Sequence, residues 1–209
     1  GKSTLVMLLD KLYPLPEGSG RITVGGVDIK DISTPYLRKN IGLVLQEPFL
    51  FSQTIKENIA AESGATLEEV RSSARDAALD DTVMSFRKGY DTFVGEGGVT
   101  LSGGQKQRTA IARMLLKNQP VMIFDDSLSA VDLKTDALIR RAINERSKNS
   151  SVIIISHRIN TLSSADKIIV LEHGKVAAEG THSELIKKEG IYKKIYEAQS
   201  LKGAENDEE

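Results

Sequence analysis

The stretch from Leu101 to Asp132, LSGGQKQRTAIARMLLKNQPVMIFDDSLSAVD, constrains this chain more than any other. Ser102 with Gln105 three residues on is a capping-box pattern and predicts that a helix opens here. Gly103 and Gly104 let another group come close to the backbone. A helix start also offers unpaired N–H groups and the positive end of the dipole, which suit an anion. Ile111, Leu115 and Leu116 give the helix an apolar face, and Asn118-Gln119-Pro120 ends it. Val121 to Phe124 is then an apolar run of strand length, as expected in a sheet covered on both faces. It delivers Asp125 and Asp126 to the strand's C-terminal end, where open α/β sheets bind ligands. An anion-binding helix start followed by paired carboxylates suggests phosphate and metal chemistry.

The first four residues point the same way. Gly1-Lys2-Ser3-Thr4 runs into Leu5, Leu8, Leu9 and Leu12 at helical spacing. It matches the end of the P-loop pattern G-x-x-x-x-G-K-[ST], whose Lys reaches the β/γ-phosphates and whose Ser holds magnesium. Taken alone, the tetrapeptide is also what an ordinary helix start looks like. The chain opens inside the motif and without Met, so an N-terminally truncated fragment is expected, lacking the first cradle glycines and any membrane part.

Arg21 to Ile29 reads as a short hairpin through Gly25-Gly26. Thr34-Pro35 reads as an N-cap followed by Pro at the first helical position. Ile41 to Leu45 is expected as a buried strand ending at Gln46, which has the look of a polar residue closing a strand. Phe49-Leu50-Phe51 then fall in a loop, where bulky side chains either tuck into the core or form a docking patch. Tucking is the expectation from the residues alone. From about Thr54 to Asn118 the pattern is mostly helical, with a second capping box at Thr66 and Glu69, and its charges are expected on a solvated face. Lys88 to Val99 reads as a Gly-rich connection. After Asp132 a helix should run to about Lys148, followed by a second buried strand, Val152 to Ile155. Ser156-His157-Arg158 then stand at a strand end, which makes His157 a candidate for phosphate contact. Lys167–Leu171 and Lys175–Ala178 form a hairpin, Thr181 with Glu184 caps a helix, and a last helix covers Ile191 to Leu201. His173 and His182 are expected at the surface.

Composition narrows the function classes. A net charge of −1 over 209 residues gives no basic field for nucleic acid. The absence of Cys excludes disulfides and a cysteine-zinc site. No apolar run approaches the ~18 residues of a membrane span.

Together these residues resemble the ATP-binding domain of ABC transporters, over essentially the whole chain. Gly1 to Thr4 resembles the end of Walker A, Gln46 the Q-loop, and Leu101 to Gln105 the signature motif. Val121 to Asp125 is similar to Walker B, Ser129-Ala130-Val131-Asp132 to the D-loop, and Ser156-His157 to the switch histidine. Phe49 to Phe51 with Thr54 to Ile59, and Val94-Gly95-Glu96-Gly97-Gly98, resemble segments of the exporter branch, the first being the one that receives the membrane domain's coupling helix.

The resemblance implies an α/β fold, a P-loop NTPase core of ABC type with a mainly parallel sheet and an inserted helical subdomain. The expected core comprises residues 1–52 and 119–209, the subdomain residues 53–118, and an acidic tail at 202–209 is expected to be disordered. The implied cofactors are ATP and Mg2+. Gly1, Lys2, Ser3, Thr4, Gln46 and His157 would bind the nucleotide; Ser3, Gln46 and Asp125 would hold or approach the metal. Ser102, Gly103, Gly104 and Gln105 would reach the γ-phosphate of a second ATP-binding domain in a head-to-tail dimer. A transmembrane domain upstream in the same chain would carry the substrate, placing the protein on the cytoplasmic face of the cell membrane.

One residue departs from the family pattern. The position after the Walker B Asp is usually Glu, the base that aligns or deprotonates the attacking water; here it is Asp126. Its carboxylate is one methylene shorter, and a base must lie within ~2.6–3.2 Å of its proton. Asp126 with Gln46 and His157 forms the expected catalytic set, and the site is expected to be slow. The pattern resembles the degenerate half of a heterodimeric exporter; a slow homodimer and a soluble ABC ATPase are the alternatives.

Overall fold

The structure, a computed structural model, describes residues 1–95, 98–129, 131–146 and 148–206, with residue 133 and residues 202–206 described through their backbone. Glu96, Gly97 and Ala130, which belong to expected motifs, and the end of the acidic tail lie outside the described residues. Two compact units emerge: Ser3–Ile155, and Gly1–Lys2 with the chain from Ser156 onward.

The larger unit is built on a parallel sheet. Strands β3 (Ile41–Val44), β4 (Val121–Asp125) and β5 (Ser151–Ile155) run in the order β3-β4-β5, with Val44 opposite Phe124 and Asp125 opposite Ile155. Met122, Ile123 and Phe124 are fully buried, as expected for a central strand covered on both faces. Ile123 packs with Val6, Leu37 and Ile41. Met122 and Phe124 pack into a second cluster with Ile111, Leu115 and Ile139. The expected burial of β5 is not found: Ile153 is 39% exposed, because β5 lies at the sheet's edge among the described residues.

Helix α1 (Lys2–Leu9) contributes Val6 to the sheet face. The hairpin of β1 (Thr23–Val24) and β2 (Val27–Asp28) turns through Gly25 and Gly26, whose φ of +59° and +82° suit a two-residue turn with both centres left-handed. Helix α2 (Thr34–Asn40) begins one residue earlier than expected: Ser33, not Thr34, holds the extended cap position. Pro35 is tolerated anywhere in the first turn, where its missing N–H has no carbonyl to meet, so it did not fix the boundary.

Among the described residues, four α-helices separate β3 from β4: α3 (Ile55–Ala60), α4 (Leu67–Asp76), α5 (Asp80–Met84) and α6 (Gly103–Lys117). Helices α3, α4 and α6 each open on a complete capping box, at Thr54–Glu57, Thr66–Glu69 and Ser102–Gln105. Asn118 closes α6 in the left-handed conformation, and its N–H donates to the Met114 carbonyl at 3.1 Å. Helix α7 (Leu133–Arg146) follows β4; Arg146 bonds the Asp76 carboxylate and, at 2.9 Å, Ser72 Oγ, tying α7 to α4.

The charges of this helical stretch are not all solvated. Asp80 is buried, accepts from Arg71 Nε and Nη2 at 3.2 and 3.1 Å, and accepts from the Tyr90 hydroxyl at 2.6 Å. Hydrogen bonding to Arg71 holds the Asp80 carboxyl below its usual range. Burial, with Asp80 as its acceptor, pushes the Tyr90 phenol up. A carboxylate can be buried when its partners supply the hydrogen bonds it would otherwise take from water.

The smaller unit has its own core of Ile159, Ile168, Leu185 and Tyr192. It contains α8 (Ile159–Leu162), the hairpin β6 (Ile168–Glu172) and β7 (Lys175–Gly180), α9 (His182–Leu185) and α10 (Ile191–Asn206). His173 is exposed in the hairpin turn, as expected. His182 is not simply a surface residue. It is half-buried, its Nδ1 lies 2.9 Å from the Tyr192 hydroxyl, and its ring meets Tyr192 and Tyr196 edge-on.

Candidate functional site

In the larger unit, parallel pairing in register brings two expected site regions to one sheet edge. Gln46 lies two residues beyond the end of β3, and Asp125 is the last residue of β4. Asp125 is 3% exposed. The chain then turns sharply at Asp126, which adopts φ +45°, a left-handed conformation that Asp tolerates better than most residues. Its N–H donates to the Ile155 carbonyl at 2.9 Å, and its carbonyl accepts from Ser129 N at 3.2 Å and Ser129 Oγ at 2.7 Å. The turn is therefore anchored on both sides of the carboxylate. Asp132 at the end of this segment is a helix cap: its carboxylate accepts from the Lys134 and Thr135 amides and the Thr135 hydroxyl at 3.1, 3.0 and 2.6 Å, bonds that hold its pKa down.

Ser3 and Thr4 stand in the first turn of α1, Ser3 half-buried and Thr4 exposed. Ser3, Gln46 and Asp125 offer hard oxygen donors. Among the described residues no group of three or more His, Cys, Asp or Glu gathers as a metal cage. Hard oxygens of this kind are what magnesium takes, beside waters and phosphate oxygens.

The signature residues form the start of α6. Ser102 Oγ accepts from the Gln105 amide at 3.3 Å, and Gln105 Oε1 accepts from the Ser102 amide at 2.8 Å. The first-turn amides of Gly103 and Gly104 have no carbonyl of their own helix to donate to. A Cβ placed on Gly103 would meet nothing within 4 Å, so its surroundings are open to an approaching group. One turn on, Gln107 Nε2 donates to the Gln46 carbonyl at 3.0 Å, joining the signature helix to the segment after β3. No local pattern signals this link, because its two ends are 61 residues apart.

The expectation that Phe49 and Phe51 tuck inside is overturned. Leu50 alone packs on the core, while Phe49 is 70% and Phe51 51% exposed, with their rings edge-on at 5.1 Å. The backbone beneath them is occupied by Asn58, which is fully buried: its Nδ2 donates to the Phe51 and Thr54 carbonyls at 2.9 and 3.1 Å, and its Oδ1 accepts from the Phe51 amide at 2.8 Å. Arg113 of α6 donates to the Asn58 carbonyl at 2.6 Å and lies over the Phe51 ring. With Asn58 holding the turn, the aromatic rings have no room beneath it. A cavity of about 330 Å³ opens beside them, bordered by Gly42, Val44, Phe51, Arg113 and Lys117.

In the smaller unit, Gly1 is exposed, Lys2 opens α1 and His157 is exposed. Ser156 Oγ accepts from the Arg158 amide at 3.0 Å. The side chain of Gln199 in α10 reaches the same segment: Nε2 donates to the His157 carbonyl at 2.6 Å, and Oε1 accepts from the Ile159 amide at 2.9 Å. Gln199 was not legible as a site residue in the sequence.

Comparison with known proteins places the chain in a family. The family model described as ABC transporter matches residues 1–129. Over 202 residues the chain is 46% identical to YgaD of Bacillus subtilis (strain 168), whose name describes a multidrug export ATP-binding/permease protein. It is 47% identical over 202 residues to the similarly named SAV1866 of Staphylococcus aureus (strain Mu50 / ATCC 700699). These alignments cover 96% of this chain but 34% and 35% of the relatives, so the chain spans about a third of their length. Among solved structures, a bacterial Atm1-family ABC exporter with ATP bound matches with a TM-score of 0.90 at 40% identity, over 96% of this chain and 35% of that one.

Proposed function

Because the chain belongs to the ABC transporter family, we propose that it is the ATP-binding and ATP-hydrolysing segment of a membrane exporter. The observation that carries this reading is the meeting, at one edge of the β3–β4 pair, of Gln46 and the Asp125-Asp126 carboxylates, with the open glycine start of α6 tied to Gln46 through Gln107. Bound Mg·ATP would supply the phosphoanhydride to be cleaved and the metal that neutralises its developing charge. Lys2 would hold the β/γ-phosphates. Ser3, Gln46 and Asp125 would furnish oxygens toward the metal. Asp126 would accept the proton of the attacking water or align it. His157 would contact the γ-phosphate. Ser102 and the Gly103 and Gly104 amides would serve the nucleotide of a second ATP-binding domain in a head-to-tail dimer. Closure of that dimer would move the loop that carries Phe49 and Phe51 against a membrane domain in the same protein, which would sit in the cell membrane with this segment on its cytoplasmic face.

Asp126 supports a second reading of the same site, a hydrolysis-poor half paired with a more active subunit. The experiment that tests the main reading is Mg2+-dependent ATP hydrolysis by the full-length protein in lipid nanodiscs. Hydrolysis that Lys2→Ala abolishes is expected. ATP turnover unaffected by Lys2→Ala would overturn it.

A further inference from the structure

His157 has a mechanical difficulty. Its side chain is exposed, so packing does not hold the imidazole in place, yet a group that contacts a phosphate in the transition state must be held to a fraction of an ångström. Its position must come from its backbone.

The structure puts one side chain on that backbone from both sides. Gln199 donates to the carbonyl of His157 and accepts from the amide of Ile159, so its carboxamide pairs with the segment as a neighbouring β-strand would. The segment between these two bonds is Arg158, whose own amide is taken by Ser156 Oγ. The loop is thus held at His157, Arg158 and Ile159.

Gln199 is carried to this point by a face of α10. Tyr192, Tyr196 and Gln199 fall at i, i+4 and i+7, one side of a helix. Tyr192 is 5% exposed and packs with Ile159, Ile168 and Leu185, and Tyr196 packs against the same cluster. The His182–Tyr192 bond at 2.9 Å fixes the first turn of the helix against α9. Two aromatic anchors therefore set the height at which the carboxamide meets the loop. Gln199 itself is exposed and belongs to no core cluster among the described residues, so its two bonds to the loop are its main contribution.

We propose that Gln199 is a positioning residue for ATP hydrolysis, holding His157 in place through the His157 carbonyl and the Ile159 amide. The proposal rests on the reading in which His157 contacts the γ-phosphate. Gln199 touches no reacting atom.

The test is a double-mutant cycle in the full-length protein in nanodiscs, measuring kcat, KM for ATP and thermal midpoint. Gln199→Ala should lower kcat roughly tenfold to a hundredfold, the range that a small misplacement of a catalytic group costs. KM and the thermal midpoint should stay near wild type, because no nucleotide contact and no core are lost. Gln199→Glu keeps the acceptor for Ile159 but sets an anionic oxygen against the His157 carbonyl, so it should lower kcat at least as much as Gln199→Ala. In a His157→Ala background, Gln199→Ala should have no further effect. If the His157→Ala rate falls below detection, hydrogen exchange decides: Gln199→Ala should speed exchange at the Ile159 amide. Wild-type kcat in Gln199→Ala, an undiminished effect in the His157→Ala background, or unchanged exchange at Ile159 would overturn the role of Gln199 alone. A wild-type rate in His157→Ala would instead overturn the assignment of His157, and Gln199's role with it.

Discussion

Gln107 Nε2 donates to the backbone carbonyl of Gln46 at 3.0 Å, so the helix that opens on the signature motif is bonded to the segment just beyond the first strand of the parallel sheet. Gln107 is 5% exposed, and its Oε1 is buried without a hydrogen-bond partner among the described residues. A buried amide with one half unsatisfied costs stability that an apolar side chain would not. Gln107 therefore contributes a link between two segments rather than net stability.

Gln107→Leu separates these two effects. It removes the bond to Gln46 but also removes the unsatisfied oxygen, so stability should change by no more than about 1 kcal/mol in urea unfolding. ATP-driven transport should fall more than ATP binding, since closure can no longer pull on Gln46 through this bond. Transport and binding that stay at wild-type levels would show that the link is incidental.

A pH prediction follows from Asp80. Arg71 and the Tyr90 hydroxyl hold its carboxyl below the unfolded value. A carboxyl with a lowered folded pKa contributes stability that is present above about pH 4 and is lost as pH falls through the folded pKa. Asp80→Asn keeps the shape but gives up the charge-assisted bonds to Arg71, so it should destabilise the protein by about 1–3 kcal/mol near neutrality. The variant should also show a shallower loss of stability below about pH 4. Parallel acid limbs for the two proteins, by denaturant unfolding at several pH values, would contradict the network's role.

What the sequence revealed was local, and what it hid was not. The capping boxes at Thr66, Ser102 and Thr181 were readable because both partners lie within four residues. Strand β4 was readable because burial on both faces leaves a continuous apolar run. Burial of Phe49 and Phe51 was misjudged because it depends on Asn58, whose amide occupies the space beneath the turn. Asp80 was misplaced for the same kind of reason: Arg71 and Tyr90 are nine and ten residues away. The links from Gln107 to Gln46 and from Gln199 to His157 span 61 and 42 residues, and no local pattern announces them. The motif residues stand as a proposal that sequence alone could make, because phosphate chemistry demands specific residue types at specific spacings.

The signature should act on a partner's nucleotide. Ser102→Arg places bulk and charge at an α6 start whose surroundings are open at Gly103. Hydrolysis at the partner's site should collapse, while ATP binding at this chain's own Lys2 should persist, measured by nucleotide binding and turnover in the assembled transporter. Loss of this chain's own binding with the partner's turnover intact would exclude the head-to-tail arrangement.

Asp126 separates the two readings of the site. Its backbone is left-handed and is pinned by Ile155 on one side and Ser129 on the other, so the turn should survive a change of side chain. If this chain is the hydrolysis-poor half of a pair, Asp126→Asn should change total ATPase little, and most activity should depend on the partner's own base. If Asp126 serves as a short base in a homodimer, Asp126→Asn should remove most of the activity and Asp126→Glu should raise it. A tenfold faster rate would correspond to about 1.4 kcal/mol of added transition-state stabilisation. A left-handed residue without the local bonding of Asp costs about 1–2 kcal/mol, and that strain is present before and during the reaction alike. It should therefore lower the thermal midpoint of Asp126→Glu without cancelling the gain in rate. Steady-state ATPase and thermal midpoints of both variants, in the complete transporter, distinguish the cases. A small effect of Asp126→Asn would favour the hydrolysis-poor reading, and a large drop in a two-subunit complex would defeat it.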